Sequence, residues 1–142
     1  MSTEQNKLLA RRCFKALADN DQTTLKELLA PDFLAHMPNM PGPLNREAFR
    51  QHLGMFAVAF SDGRMTVEDQ IAEGDKVVTR ATWRAIHSGN FQGLPPTGRQ
   101  VAIGAIIVQR LKEGKIVEHW PLFDMMGLMQ QLGLVPPPQS AR

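Results

Sequence analysis

Apolar residues recur at helical spacing in the first third of the chain and alternate with polar ones over most of the rest. From about Thr3 to Ala18, Leu9, Cys13, Ala16 and Leu17 fall on one face with Leu8 and Phe14 alongside, which predicts an amphipathic helix. Asp21 can cap a second helix through Leu25, Leu28 and Leu29 that Pro31 stops, and Phe33 to Met37 then reads as a short strand. After a Pro-rich loop from Pro38 to Pro43, Asn45 caps a third helix whose Phe49, Leu53, Phe56 and Phe60 stand at i, i+4, i+7 and i+11. Asp62-Gly63 predicts a turn. Four extended segments follow, Met65 to Ala72, Lys76 to His87, Gln100 to Leu111 and Lys115 to Phe123, and a last helix from Met125 to Leu132 ends at Gly133. Helices first and long antiparallel strands afterwards predict an α+β domain, with a curved, mostly antiparallel sheet wrapped around the N-terminal helices and a pocket on its concave face.

The length of 142 residues predicts a single domain over 1–135, with 136–142, opening on Pro136-Pro137-Pro138, as a tail without regular structure. One cysteine excludes a disulfide within the chain, and Cys13 on the first helix reads as a small buried hydrophobe. Sixteen basic against fourteen acidic residues give a net charge of +2, spread along the chain, which argues against a nucleic-acid partner. No apolar run of signal-peptide type or of about 18 residues stands in the sequence, so a cytoplasmic protein with no membrane contact is expected.

Candidate chemistry centres on Asp124, a carboxylate among Trp120, Leu122, Phe123, Met125 and Met126. Lost solvation there would raise its pKa toward the range useful for proton transfer, whereas capping the last helix through backbone N–H groups would lower it; both roles are open. In an unbroken strand Trp120, Leu122 and Asp124 share one face, so His119 is expected to point away from the pocket unless a bulge near Pro121 changes the register. His87 ends a strand face bearing Val77, Thr79, Ala81, Trp83 and Ala85, where it either donates to a substrate carbonyl or anchors the following loop. His36 either orients substrate or is a packed polar residue, and His52 reads as a surface or edge residue. Trp83 and Trp120, with Phe33, Met37, Met40 and Leu122, are the expected walls, and the eight methionines supply adaptable apolar surface. No His-Glu-x-x-His spacing, cysteine cluster or phosphate-binding glycine loop occurs, so neither metal nor cofactor is expected.

Four segments carry a family resemblance: His36-Met37-Pro38, Gly74 to Val78, His87 to Gly98 with its Pro95-Pro96-Thr97-Gly98, and Gly114 to Asp124 with Glu118-His119-Trp120. In order and spacing the chain resembles the SnoaL-like polyketide cyclases, or ester cyclases, of the NTF2-like cone-fold group. The resemblance implies a cone enclosing a pocket and cofactor-independent aldol closure of a small hydrophobic carbonyl compound. It also implies a homodimer and an acid-base aspartate matched by Asp124. A noncatalytic ligand-binding or oligomerisation domain, or another isomerase or hydrolase of the NTF2-like group, is the alternative. The chain has no tyrosine and no Asp-x-Arg pattern before Asp124, features of the related ketosteroid isomerases, scytalone dehydratases and limonene-epoxide hydrolases.

Overall fold

Local capping accounts for where each helix begins. In the computed structural model, which describes residues 2–138, α1 (Thr3–Asp19) opens on a capping box: Gln5 N–H donates to Ser2 Oγ at 3.1 Å and Ser2 N–H to Gln5 Oε1 at 2.8 Å. Asp21 caps α2 (Gln22–Leu28) through Thr24 N–H, and Asn45 caps α3 (Arg46–Ala59) through Ala48 N–H. The last helix, α4 (Met125–Leu132), ends on Gly133 at φ 80°, the left-handed conformation a glycine takes without strain.

Six strands form one open sheet in the order β2-β1-β6-β5-β4-β3: β1 (Leu29–Ala35), β2 (Leu44–Asn45), β3 (Phe60–Glu73), β4 (Lys76–His87), β5 (Gln100–Lys112) and β6 (Lys115–Phe123). All neighbours are antiparallel except β1 and β6, which run parallel. The long β3-β4-β5-β6 meander wraps α1 and α3. Between sheet and helices lies a core of Phe14, Leu25, Leu29, Phe33, Phe49, Ile107 and Ile116. A second apolar cluster fills the end of the sheet nearest α4, around Phe60, Phe91, Ile103 and Leu128.

Expected boundaries move at the first strand, which ends at Ala35 rather than Met37, and after α3, where Phe60 leaves the helical stripe to open β3. The first strand begins at Leu29, immediately after α2, and passes through Pro31 at a point where the β1-β6 register shifts, so the missing N–H interrupts no ladder bond there. Asp62-Gly63 does not turn the chain. It forms a bulge inside β3, with Asp62 at φ 54° and a register shift against β4 between Ser61 and Arg64. The true reversals are Gly74-Asp75 and Glu113-Gly114; in the second both residues have positive φ, the twist a two-residue hairpin requires. Pro136 to Pro138 carry no regular structure, and the rest of the expected tail lies outside the described residues.

Candidate active site

The facing of β6 decides which of the expected residues meet. Leu111 pairs with Ile116 and Arg110 with Glu118, so Val117 is an extra residue bulged out of the β5-β6 ladder. Beyond it alternation is regular: His119 and Pro121 are buried opposite Gln109 and Ile107, while Glu118 and Trp120 are half-buried and Leu122 is exposed. The expectation for His119 is therefore corrected. It shares a face with Pro121 and Phe123 as alternation requires, but that face is the inner one, because the β5 row it pairs with is the buried row Ile107, Gln109 and Leu111.

Inside, the ring of His119 lies against Phe33 and Phe49, and Gln109 Nε2 stands 3.0 Å from its Nδ1. Burial pushes the imidazole pKa down to about 3. The same amide nitrogen reaches Cys13 Sγ at 3.6 Å, and burial pushes that thiol up to about 12. Gln109 Oε1 has no partner among the described residues. Gln109 was not among the expected site residues, although a lone polar residue in the buried row Val101, Ile103, Ala105, Ile107 and Leu111 is a signal the sequence carries.

Outside, His36 Nε2 is 2.8 Å from Glu118 Oε2, and Arg110 closes on Glu118 Oε1 at 2.8 Å. Hydrogen bonds from His36 and Arg110 hold the Glu118 carboxyl below its ordinary range. The His36 ring stacks on Trp120 with centroids 5.1 Å apart. His36, Trp120 and Leu122 thus sit on the convex side, away from the concave surface assigned to them. The β6 register puts even-numbered residues outward, and Trp120 covers its ring with a neighbouring imidazole rather than with the core.

His87 is fully buried at the end of the inner β4 face, following Val77, Thr79, Ala81, Trp83 and Ala85 as expected. Its Nδ1 is 2.9 Å from Thr97 Oγ1 and accepts from Thr97 N–H at 3.2 Å; its Nε2 has no partner among the described residues. Beside it stands Phe60, with centroids 5.5 Å apart, and beyond that ring Phe91 and Trp83; Met125 and Met129 of α4 pack on the same apolar cluster. Of the other expected walls, Phe33 is core, Met37 is half-buried against the same core, and Met40 is exposed in the loop.

Asp124 is exposed and caps α4, its Oδ1 accepting from Gly127 N–H at 2.9 Å. Its own N–H donates to Gly104 O, and Gly104 pairs with Thr82, five residues before His87 on β4. That is roughly 17 Å along the strand, so Asp124 and His87 are not brought together. Nor does either join His36, which lies on the outer face. Two surface hollows, one between α2 and α3 and one beside Gly63, contain none of the expected site residues. Among the described residues no three His, Cys, Asp or Glu side chains converge as metal ligands, and no helix is long and apolar enough to cross a membrane.

Known proteins match this arrangement along most of its length. A model of the SnoaL-like polyketide cyclase family matches residues 7–132. An aklanonic acid methyl ester cyclase of Streptomyces peucetius is 36% identical over 110 residues, covering 75% of this chain and 72% of the relative. Among solved structures, a proposed polyketide cyclase from Streptomyces antibioticus superposes with a TM-score of 0.83 at 34% identity, covering 91% of this chain and 99% of that one. A proposed hydroxylase from Streptomyces galilaeus superposes with a TM-score of 0.88 at 27% identity, covering 98% and 87%.

Proposed function

The chain belongs to the SnoaL-like polyketide cyclase family, and from that premise we propose that it is a cofactor-independent enzyme performing aldol-type acid-base chemistry on a small hydrophobic carbonyl compound. The observation that carries this reading is the unpartnered Nε2 of His87, a fully buried ring beside Phe60 at the edge of the second apolar cluster. A methylene between two carbonyls is already acidic. Ring closure then needs the two ends held in line, water kept out, and a donor for the oxygen on which charge develops. His87 supplies the donor, and Phe60, Phe91, Trp83, Met125 and Met129 supply an adaptable apolar wall.

The test is a panel of linear and aryl-fused β-dicarbonyl substrates, with ring closure followed by absorbance and mass spectrometry. Turnover above buffer that falls at least 100-fold in His87→Phe, with the melting temperature retained, is the expected result. Turnover unchanged in that variant would remove His87 from the chemistry. Asp124→Asn keeps an oxygen that can cap α4 but removes the carboxylate. An unchanged rate assigns Asp124 to capping, and a lost rate with an intact fold restores it as the proton acceptor.

The capping geometry of Asp124 and the side-chain-filled interior favour a second reading, a domain that binds a carbonyl compound without turning it over. Saturable binding with no product across the panel is its signature. On the convex face, Ile106 and Leu122 are cross-strand partners, 52% and 62% exposed, and in either reading they form the centre of a homodimer contact. A monomer by sedimentation velocity up to about 100 μM, well above the range in which a specific dimer of micromolar affinity assembles, would count against that assembly.

A further inference from the structure

We propose that Thr97 is a positioning residue that makes His87 a donor-only group, so that this end of the interior takes a ligand atom with a free lone pair, a carbonyl or enolate oxygen, and rejects an N–H or ammonium group. The assignment rests on the reading of His87 given above and goes one step further, from the presence of the imidazole to the placement of its hydrogen. Thr97 was not among the residues singled out for chemistry.

The hydrogen is set by two donors of Thr97, its backbone N–H and its hydroxyl. A backbone N–H can only donate, and Thr97 N–H donates to His87 Nδ1 at 3.2 Å. Arg99 N–H in turn donates to Thr97 Oγ1 at 3.2 Å, and since Nδ1 already accepts from the backbone, the Thr97 hydroxyl 2.9 Å away meets it with its hydrogen. Nδ1 therefore presents its lone pair to Thr97, and the ring in this arrangement carries its hydrogen on Nε2. The loop is held for the purpose: His87 N–H donates to Arg99 O and Gly98 N–H to His87 O, both at 2.9 Å. Pro95 and Pro96 narrow the backbone approach to Thr97, and Gly98 at φ 71° reverses it. Buried donors are nearly always paired, and His87 Nε2 is not. Phe60 lies beside the ring, with centroids 5.5 Å apart, and no oxygen among the described residues bonds Nε2. A ligand oxygen is the missing partner.

The experiment uses the full chain labelled with nitrogen-15, and reads the two ring nitrogens of His87 in the wild type, Thr97→Ser and Thr97→Val. Two probes of one skeleton are then titrated in, 1,3-indandione with acceptor oxygens and indane without them. The wild type and Thr97→Ser should hold the hydrogen on Nε2, and indandione should shift that N–H signal downfield. Thr97→Val keeps the backbone N–H but loses the hydroxyl that seconds it, so a measurable Nδ1–H population should appear beside the Nε2–H form and indandione should bind roughly 5-fold or more weakly, with indane binding unchanged. A wild-type hydrogen on Nδ1, or a Thr97→Val protein with wild-type tautomer and wild-type indandione affinity, would overturn the assignment. The tautomer is read without turnover. A protein that binds indandione through Nε2–H yet cyclises nothing therefore refutes the catalytic reading and leaves this one standing.

Discussion

Lowering the pH from 7.5 to 5 stresses one interior group above all. His119 has an ordinary pKa of 6.5 and burial pushes it down to about 3. Between those values the unfolded chain binds a proton at this position and the folded chain does not, so stability is present above 6.5 and is lost as the pH falls toward 3. Each pH unit in that window costs about 1.4 kcal/mol, which makes about 2 kcal/mol at pH 5 against a total stability on the order of 5–15 kcal/mol. His52, also lowered by burial, adds loss of the same sign. Glu118 and Asp21, held low by hydrogen bonds, contribute mainly below their ordinary values and so outside the window. The His119 share is isolated by comparison with His119→Phe. That variant leaves Gln109 Nε2 without its acceptor, a loss of about 1–3 kcal/mol at every pH, but nothing at this position titrates. Urea unfolding followed by the fluorescence of Trp83 and Trp120 should show the wild type ahead at pH 7.5 and the gap narrowed by about 2 kcal/mol at pH 5. A gap that stays constant between the two would mean that His119 does not keep a depressed pKa, and the sealed interior around it would have to be redrawn.

Three further tests probe the backbone and the core. A Cβ on Gly127 would run into the capping carboxylate of Asp124, so Gly127→Ala should forfeit the helix gain of about 1 kcal/mol; in an Asp124→Ala background the same change should become stabilising by about that amount, as denaturation of the four proteins would show. Gly89→Ala would drive a methyl into the carbonyl oxygen of Val58 while Ser88 and Gly89 N–H both hold Ala59 O at 3.0 Å, and a loss of roughly 1–3 kcal/mol is expected by thermal melting. Cys13, with its thiol pushed up to about 12 inside the core, should fail to react with a disulfide reagent at pH 8 until urea unfolds the chain.

Periodicity showed which residues share a face, but not which face is inside. On β4 the two questions had one answer, since Val77, Ala81 and Ala85 are apolar and their alternates include Arg80 and Arg84. On β6 they separated. Trp120 and Leu122 outrank His119 and Pro121 in hydrophobicity, yet the buried β5 row and the bulge at Val117 bring the latter pair inward, where Gln109 meets the histidine's hydrogen-bonding need. Asp62-Gly63 looks like a turn because its residue types favour positive φ; a bulge has the same local requirement, and only the continuing pairing with β4 tells them apart. The end of β6 and the capped start of α4 were legible to the residue, because Asp124 is both the end of the alternation and a strong N-cap. The bond from Thr97 to His87 was not, since it spans ten residues of loop whose path no local pattern fixes.

Among the described residues two buried side-chain polar atoms lack partners, Gln109 Oε1 and His87 Nε2, and they lie at opposite ends of the sheet. Gln109 pairs with Val77, ten residues before His87 on the same strand, roughly 33 Å away when extended. The Gln109 end is closed by the main core beneath α1 and α3, whereas the His87 end is covered by the 88–99 loop and by α4, eight residues long. Three attachments hold α4 down: the Asp124 cap, the Gln131 amide bonded to both Ala102 N–H and Ala102 O at 2.8 Å, and Arg99 reaching Gln131 O at 3.0 Å. A ligand approaching His87 displaces least structure by loosening this short element, because opening the other end would expose the core. The expectation on this route is that Asp124 acts through its cap alone. Asp124→Ala, which releases the first turn of α4, should alter ligand affinity and turnover together, while Asp124→Asn, which keeps a cap, should leave both near wild type. Equal loss in the two variants would show instead that the carboxylate itself takes part.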